Sequence, residues 1–352
     1  MSSLALSSPP VAAPFLPVGP APAPGGQPER GGITLPSPEE IRAEIAHVLN
    51  KQLSADLIRW VDGYAQVGKR NLYLWKWVRQ GVEVTTLSCI EKELFDAACD
   101  IKVLGVVLDC LLDDIADRGG EEELLEQLLA VPFNADRLQL TSVRPEDRAY
   151  AEFTIDLWQE IKRRTKRLPL FDQYARLWRY DYLQLFNGMR YSHLINEDVA
   201  LLNLAEHDLY SPHNMHIMVS STVDLMCSPR FDRNELGRLR DAIWHAQFMG
   251  RIGNLVTTWE RELADGDYTS GIYARAVAEG DVTLQMLRDR DAAAIKQAIC
   301  SAGHETFFLE RWSQLRCRLV ELAPRIRSVN IGQLLTGYER LIRLHLGSRG
   351  YK

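Results

Sequence analysis

Four aspartates, Asp109, Asp113, Asp114 and Asp117, lie within nine residues directly after the apolar run IKVLGVVL. On a helix, at about 100° per residue, Asp113, Asp114 and Asp117 share a face about 100° wide, with Asp109 one turn back on the same side. Carboxylates this close repel one another and favour protonation unless a cation lies between them. Mg2+ suits the position, because it takes oxygen ligands and joins one or two carboxylates to the phosphates of a substrate. A solvated helix end is the alternative reading, since DRGG follows at once, although negative charge at a helix C-terminus opposes the dipole. A second set begins 141 residues further on (254 minus 113): Asn254, Thr258 and Glu262, spaced i, i+4, i+8 along one helical stripe. An amide, a hydroxyl and a carboxylate oxygen together also suit Mg2+. Ordinary polar pairing on a helix explains this stripe alone, but not its occurrence together with the first cluster.

The two motifs resemble those of the class I terpene synthases, bacterial type. The family's DDxxD motif matches Asp113-Asp114-Ile115-Ala116-Asp117, and its (N/D)xxx(S/T)xxxE motif matches Asn254, Thr258 and Glu262. Arg261 stands where bacterial members often carry a basic residue that touches diphosphate. The resemblance extends over nearly everything after Pro38. It implies Mg2+-dependent ionisation of an isoprenyl diphosphate and cyclisation to a terpene hydrocarbon or alcohol, with release of diphosphate (a carbon–oxygen lyase). It implies three Mg2+ ions, replaceable by Mn2+, held by Asp113 and Asp117 on one side and Asn254, Thr258 and Glu262 on the other. Asp114 would pair with an arginine, and Asp113, Asp114, Asp117 and Arg261 would form the catalytic set. The family's diphosphate-sensing arginine usually lies well before the second motif, but no Lys or Arg occurs between Arg190 and Arg230, which leaves Arg190 as the nearest candidate. The family's closing Arg-Tyr pair is matched by Arg349 and Tyr351 only with a one-residue insertion.

Long 3.6-residue periodicity predicts the elements that must position these groups. Helices are expected over about 38–53, 52–66, 69–80, 88–117, 121–130, 145–167, 170–194, 214–227, 234–265, 271–278, 282–300, 304–321 and 331–347. Breaks are expected at VPFNAD, RLP, LYSPHN, SPRFD and DGD. No period-two alternation and no glycine-rich nucleotide loop appears. The expectation is an all-α fold: one large bundle of about a dozen helices around a central cavity, the class I terpenoid synthase fold. Ten of the 16 prolines fall in the first 38 residues, so residues 1–37 read as a disordered leader and 38–352 as the α domain.

Composition bounds the partners. A formal charge of −6 gives no basic footprint for nucleic acid, and no run is apolar enough to span a membrane. Six scattered cysteines without a CxxC pair fit reduced thiols and a cytoplasmic protein. The fold class commonly forms homodimers, so a homodimer is entertained. The expected cavity wall comprises Phe95, Trp178, Tyr182 and Phe186, whose faces can stabilise a passing cation; aromatic residues at helical spacing are also ordinary core. The small residues Ser220, Ser221 and Thr222 suggest a kinked helix at the cavity. The patch YDYLQLFNG resembles bacterial kaurene-synthase-like enzymes and favours a C20 over a C15 substrate. Two alternatives are a chain-elongating prenyl transferase of the same fold, which usually carries two aspartate-rich motifs, and a catalytically silent scaffold.

Overall fold

The computed structural model describes residues 33, 36–117, 122–134 and 143–351, so nearly all of the expected leader lies outside the described residues. The described residues form fifteen α-helices joined by short 3-10 turns, and no strand. Their order is α1 (Pro38–Leu49), α2 (Ala55–Tyr64), α3 (Leu72–Thr85), α4 (Phe95–Ala116), α5 (Glu122–Asn134), α6 (Arg148–Thr165), α7 (Phe171–Glu197) and α8 (Leu204–Tyr210). There follow α9 (Ile217–Met226), α10 (Leu236–Asp265), α11 (Gly271–Glu279), α12 (Leu284–Arg288), α13 (Ala292–Ala302), α14 (His304–Leu322) and α15 (Ile331–Gly347). No described helix is long and apolar enough to cross a membrane.

Local chemistry explains most boundaries. Ser37 and Glu40 form a reciprocal capping box at the start of α1. Three segments depart from the expected pattern. The predicted helix 282–300 is two helices, because Arg290 turns left-handed (φ 53°) and Asp291 caps the N-terminus of α13. A short helix, α8, lies in the stretch 195–213 where no helix was expected; Asn203 caps it by accepting from the Glu206 amide and donating to the Glu206 carboxylate. α5 runs into the break expected at VPFNAD and ends there at Asn134, carrying Pro132 in its last turn, where a missing N–H removes a single ladder bond.

Helix α4 is buried on nearly every face and forms the axis of the bundle, in contact with α2, α3, α5, α6, α7 and α9. The 30-residue α10, about 45 Å long, lies against α9, α14 and α15. Between α3, α4, α9, α10 and α15 lies a deep cavity. One wall depends on Gly337: a Cβ there would stand 1.9 Å from the Val84 carbonyl oxygen, so only glycine lets α15 cross α3 this closely. Tyr338 and Leu341, on the same turns of α15, then face the cavity.

Gly337→Ala is expected to lower stability by about 1–3 kcal/mol or more, because backbone must move. Gly237→Ala, where a Cβ meets nothing within 4 Å, should raise stability by about 0.5–1 kcal/mol. Denaturant midpoints of the two variants check the contrast.

Candidate active site

The two motifs meet at one end of the cavity. Asp113 and Asp117, from the C-terminal end of α4, line the same mouth as Asn254, Thr258, Arg261 and Glu262 of α10. The Thr258 hydroxyl donates to the Asn254 carbonyl at 2.9 Å, which leaves its oxygen lone pairs to accept. The Asn254 side-chain oxygen accepts from Arg251 at 3.0 Å. Oε2 of Glu262 is buried without a hydrogen-bond partner.

Asp267 joins this group. The chain leaves α10 through Gly266 in the left-handed conformation (φ 79°), and the Asp267 amide returns to the Glu262 carbonyl at 2.9 Å. That turn sets Asp267 in the cavity wall near Glu262. Asn196, at the end of α7, then ties the two acidic sides together. It donates to the Asp117 carbonyl at 3.3 Å and to the Asp267 carboxylate at 3.2 Å, and accepts from the Tyr268 amide at 3.0 Å.

The electrostatics are those of acids held too close. Burial, together with Asp267 and Asp114, pushes the Asp113 carboxyl up to about 6 despite the opposing pull of Arg70. Burial and Asp267 push Glu262 up to about 7. Asp117 lies well above the usual range through burial and the charges of Asp113, Asp267 and Glu262. Among the described residues no three His, Cys, Asp or Glu side chains form a complete metal cage. Two carboxylates on one side and an amide, a hydroxyl and a carboxylate on the other instead make a split oxygen donor set.

Of the expected positive groups, Arg261 lines the mouth and Arg190 and Arg349 do not. Arg70, between α2 and α3, and Arg251, on α10, both line the mouth, and the Nε of each is buried without a partner. Neither was picked out from the sequence: Arg251 lies one turn before Asn254, a spacing that could have marked it, whereas nothing in the sequence near Arg70 announces its place. Asp114 does not line the cavity. It turns away to accept from Arg70 at 2.7 Å and from the Tyr64 hydroxyl at 3.2 Å. Arg190 does not line the cavity and is engaged by both oxygens of Glu126 at 2.5 and 2.7 Å. Arg349 does not line the cavity either, being held by Glu260 at 2.6 Å and Glu305 at 2.7 Å. Tyr351 is 55% exposed beside Tyr73.

The expected aromatic wall is also corrected. Trp178 stacks on Trp158 at 5.2 Å, Tyr182 lies edge-on to both, and Phe186 packs on Phe133, so this stripe of α7 is core. Phe95 is partly buried core at the start of α4. The rings that face the cavity are Trp77 of α3 and Tyr338 and His345 of α15. The kink expected at 214–227 is present: His216 is left-handed (φ 58°) just before α9, and Ser220 and Ser221 face the cavity. Thr222 instead donates to Asp181 at 2.5 Å.

No protein-family model and no curated protein matches the sequence. Among solved structures, abietadiene synthase from Abies grandis superposes with a TM-score of 0.55 at 12% identity, covering 87% of this chain and 38% of that one. Linalool/nerolidol synthase from Streptomyces clavuligerus, in complex with 2-fluorogeranyl diphosphate, superposes with a TM-score of 0.50 at 15% identity, covering 91% of this chain and 98% of that one. The chain thus spans well under half of the first relative and nearly all of the second. The chain has the class I terpenoid synthase fold.

Carboxylates whose folded-state pKa is raised bind more protons folded than unfolded, so their contribution to stability falls as pH rises through the window from the ordinary carboxylate range to about 7. Asp117→Asn removes one of the mutually repelling charges. The variant should therefore melt above the wild type at about pH 8, with the gap closing at about pH 5; parallel melting curves across pH measure it. A gap that is constant across pH, or reversed, would show that the repulsion is absent.

Proposed function

We propose that the protein is a Mg2+-dependent terpene synthase that ionises an isoprenyl diphosphate and cyclises the resulting cation, with C20 favoured over C15. The observation that carries this reading is the juxtaposition at the cavity mouth: buried carboxylates from two helices line it together with three arginines, at one end of a chamber whose wall includes Trp77, Val78, Val82 and Leu341. Such a mouth is electrostatically complete only with a polyanion and cations in it. The donors present fit Mg2+: they are hard oxygens, and the unpartnered Glu262 Oε2 and the lone pairs of Thr258 are available to it. Asp113 and Asp117 would hold ions on one side and Asn254, Thr258 and Glu262 on the other, three in all by the family resemblance. Mn2+ would fit the same donors. When bound, the ions would neutralise charge that develops on the leaving diphosphate.

The chain's own part follows from the placement of its side chains. Arg251, Arg70 and Arg261 donate to diphosphate oxygens and gain strength from the carboxylate-rich, partly buried surroundings. Asp114 holds the Arg70 guanidinium in place and acts through it. The allylic C–O bond breaks, both electrons leave with the diphosphate oxygen, and the allyl cation remains in the chamber. There Trp77 and Tyr338 present ring faces or edges to it, and the apolar residues of α3 and α15 exclude bulk water.

Purified protein with Mg2+ should convert one of geranyl, farnesyl or geranylgeranyl diphosphate to a new hydrocarbon or alcohol, read by gas chromatography–mass spectrometry with diphosphate release measured in parallel. Asp113→Ala, Glu262→Gln and EDTA should each reduce turnover roughly 100-fold or more. Arg251→Gln should weaken substrate binding in the same assay. Chain growth on adding isopentenyl diphosphate would identify an elongating transferase instead, and no Mg2+-dependent binding of inorganic diphosphate would identify a silent scaffold.

A further inference from the structure

The far end of the chamber is not inert. Lys102, seven residues before Asp109 on the same stripe of α4, lines the cavity while only 1% exposed. It lies about 16 Å along the helix from Asp113. Its ammonium donates to Asp224 Oδ1 of α9 at 2.8 Å and to Thr86 Oγ1 at 2.6 Å. The other Asp224 oxygen accepts from the Leu87 amide at 3.0 Å. An ammonium carries three donors, and these bonds use two of them. Ser220, Ser221, Asp224 and Tyr338 face the same chamber. The Ser221 hydroxyl donates to the Ile217 carbonyl at 2.8 Å, so its lone pairs remain available.

A tie between α4 and α9 alone does not require this chemistry. An apolar pair of similar volume holds two helices together at least as well as a buried ion pair does, because the charges must first be stripped of water. A chamber that handled only hydrocarbon would be served better by such a pair. Higher on the wall, Asp109 Oδ1 is buried with no hydrogen-bond partner in the protein and lines the chamber, where a polar guest can pair with it. Both features call for a small hydrogen-bonding guest, and water is the one that fits a chamber otherwise filled by an isoprenyl chain.

We propose that the Lys102–Asp224 pair, with Ser221, holds a water molecule at the deep end of the chamber, and that this water captures the final carbocation to give a terpene alcohol. This rests on the terpene synthase reading above. A lone pair of the water oxygen forms the new C–O bond, one O–H bond breaks, and the proton passes to the Asp224 carboxylate, from which it returns to solvent after product leaves. Burial raises the Asp224 carboxyl above its usual range in spite of Lys102, which suits a proton acceptor. Lys102 orients the oxygen by donating its third N–H, so that the remaining lone pair faces the substrate.

The test runs the wild-type protein with Mg2+ and each of the three prenyl diphosphates in heavy-oxygen water, with enzyme-free controls, and reads both diphosphate release and products. The expected result is an alcohol of one enantiomer carrying solvent oxygen. In Lys102→Met/Asp224→Leu, which removes both charges together, alcohol formed per diphosphate released should fall about tenfold, with hydrocarbon taking its place. Lys102→Gln, which keeps a donor towards Thr86 and Asp224, should show the same direction and covers the case in which the double variant does not fold. Wild-type product that is hydrocarbon alone, or an alcohol share unchanged in both variants, overturns the inference while leaving the functional reading intact. Absence of diphosphate release from every substrate overturns the functional reading, and this inference with it.

Discussion

The mutual repulsion of buried carboxylates at the ends of α4 and α10 is the constraint around which the rest of the molecule is arranged. Burial, with the charge of neighbouring carboxylates that include Asp267, raises the proton affinity of Asp113, Asp117 and Glu262, and none of this helps the chain fold. The cost is tolerable because other interactions fix the two helix ends. Asn196 bridges the Asp117 carbonyl and the Asp267 side chain, Gly266 turns the chain back on Glu262, and Arg70 takes up Asp114. The acids are therefore held apart from their partners and close to one another, a state relieved by bound cations rather than by rearrangement. On the proposed function, a site built this way would bind divalent metal through its own stored repulsion and give little affinity to a neutral ligand.

The fold and the acidic motifs were legible because both rest on local regularity. Apolar residues at helical spacing define α4, α7, α10 and α15, and ligands at i and i+4 lie on one helical stripe whatever the helix packs against. The same periodicity misled over Trp178, Tyr182 and Phe186. They do share a face, but that face meets α6, where Trp158 stacks on Trp178. Periodicity says which residues share a side and not which helix covers that side. The residues that do face the chamber, on α3 and α15, depend on how closely those two helices cross, and that distance is set by a single glycine, Gly337.

The arginines show the same division. Arg251 follows from its place one turn before Asn254 on a helix already recognised. Arg70 belongs to a loop that reaches Asp114 only through the packing of α2 and α3 on α4, so no spacing in the sequence reports it. Asp267 lies between: its DGD context marks a turn, but only the left-handed conformation of Gly266 brings its carboxylate to Glu262 rather than to solvent. Arg190 was the nearest cation to the sensor position and Arg349 matched the family's closing pair only with an insertion. Both have carboxylate partners of their own, Glu126 for the first and Glu260 with Glu305 for the second.

Charge along the chamber is sorted by depth. The acids of both motifs gather at the mouth, where cations and diphosphate would meet them on the proposed function, whereas the deep end carries an ion pair of no net charge. A lone lysine there would repel an advancing carbocation, and a lone aspartate would trap it or compete for metal. The pair gives polarity without either field, since the potential of opposite charges 2.8 Å apart falls off steeply with distance. On the proposed function, a carbocation in the chamber would be drawn towards the departing diphosphate by the mouth, and its folding would be left to the shape set by α3, α9 and α15. It feels the Lys102–Asp224 dipole only at close range, so the deep end acts on the cation that reaches it and not on those formed earlier.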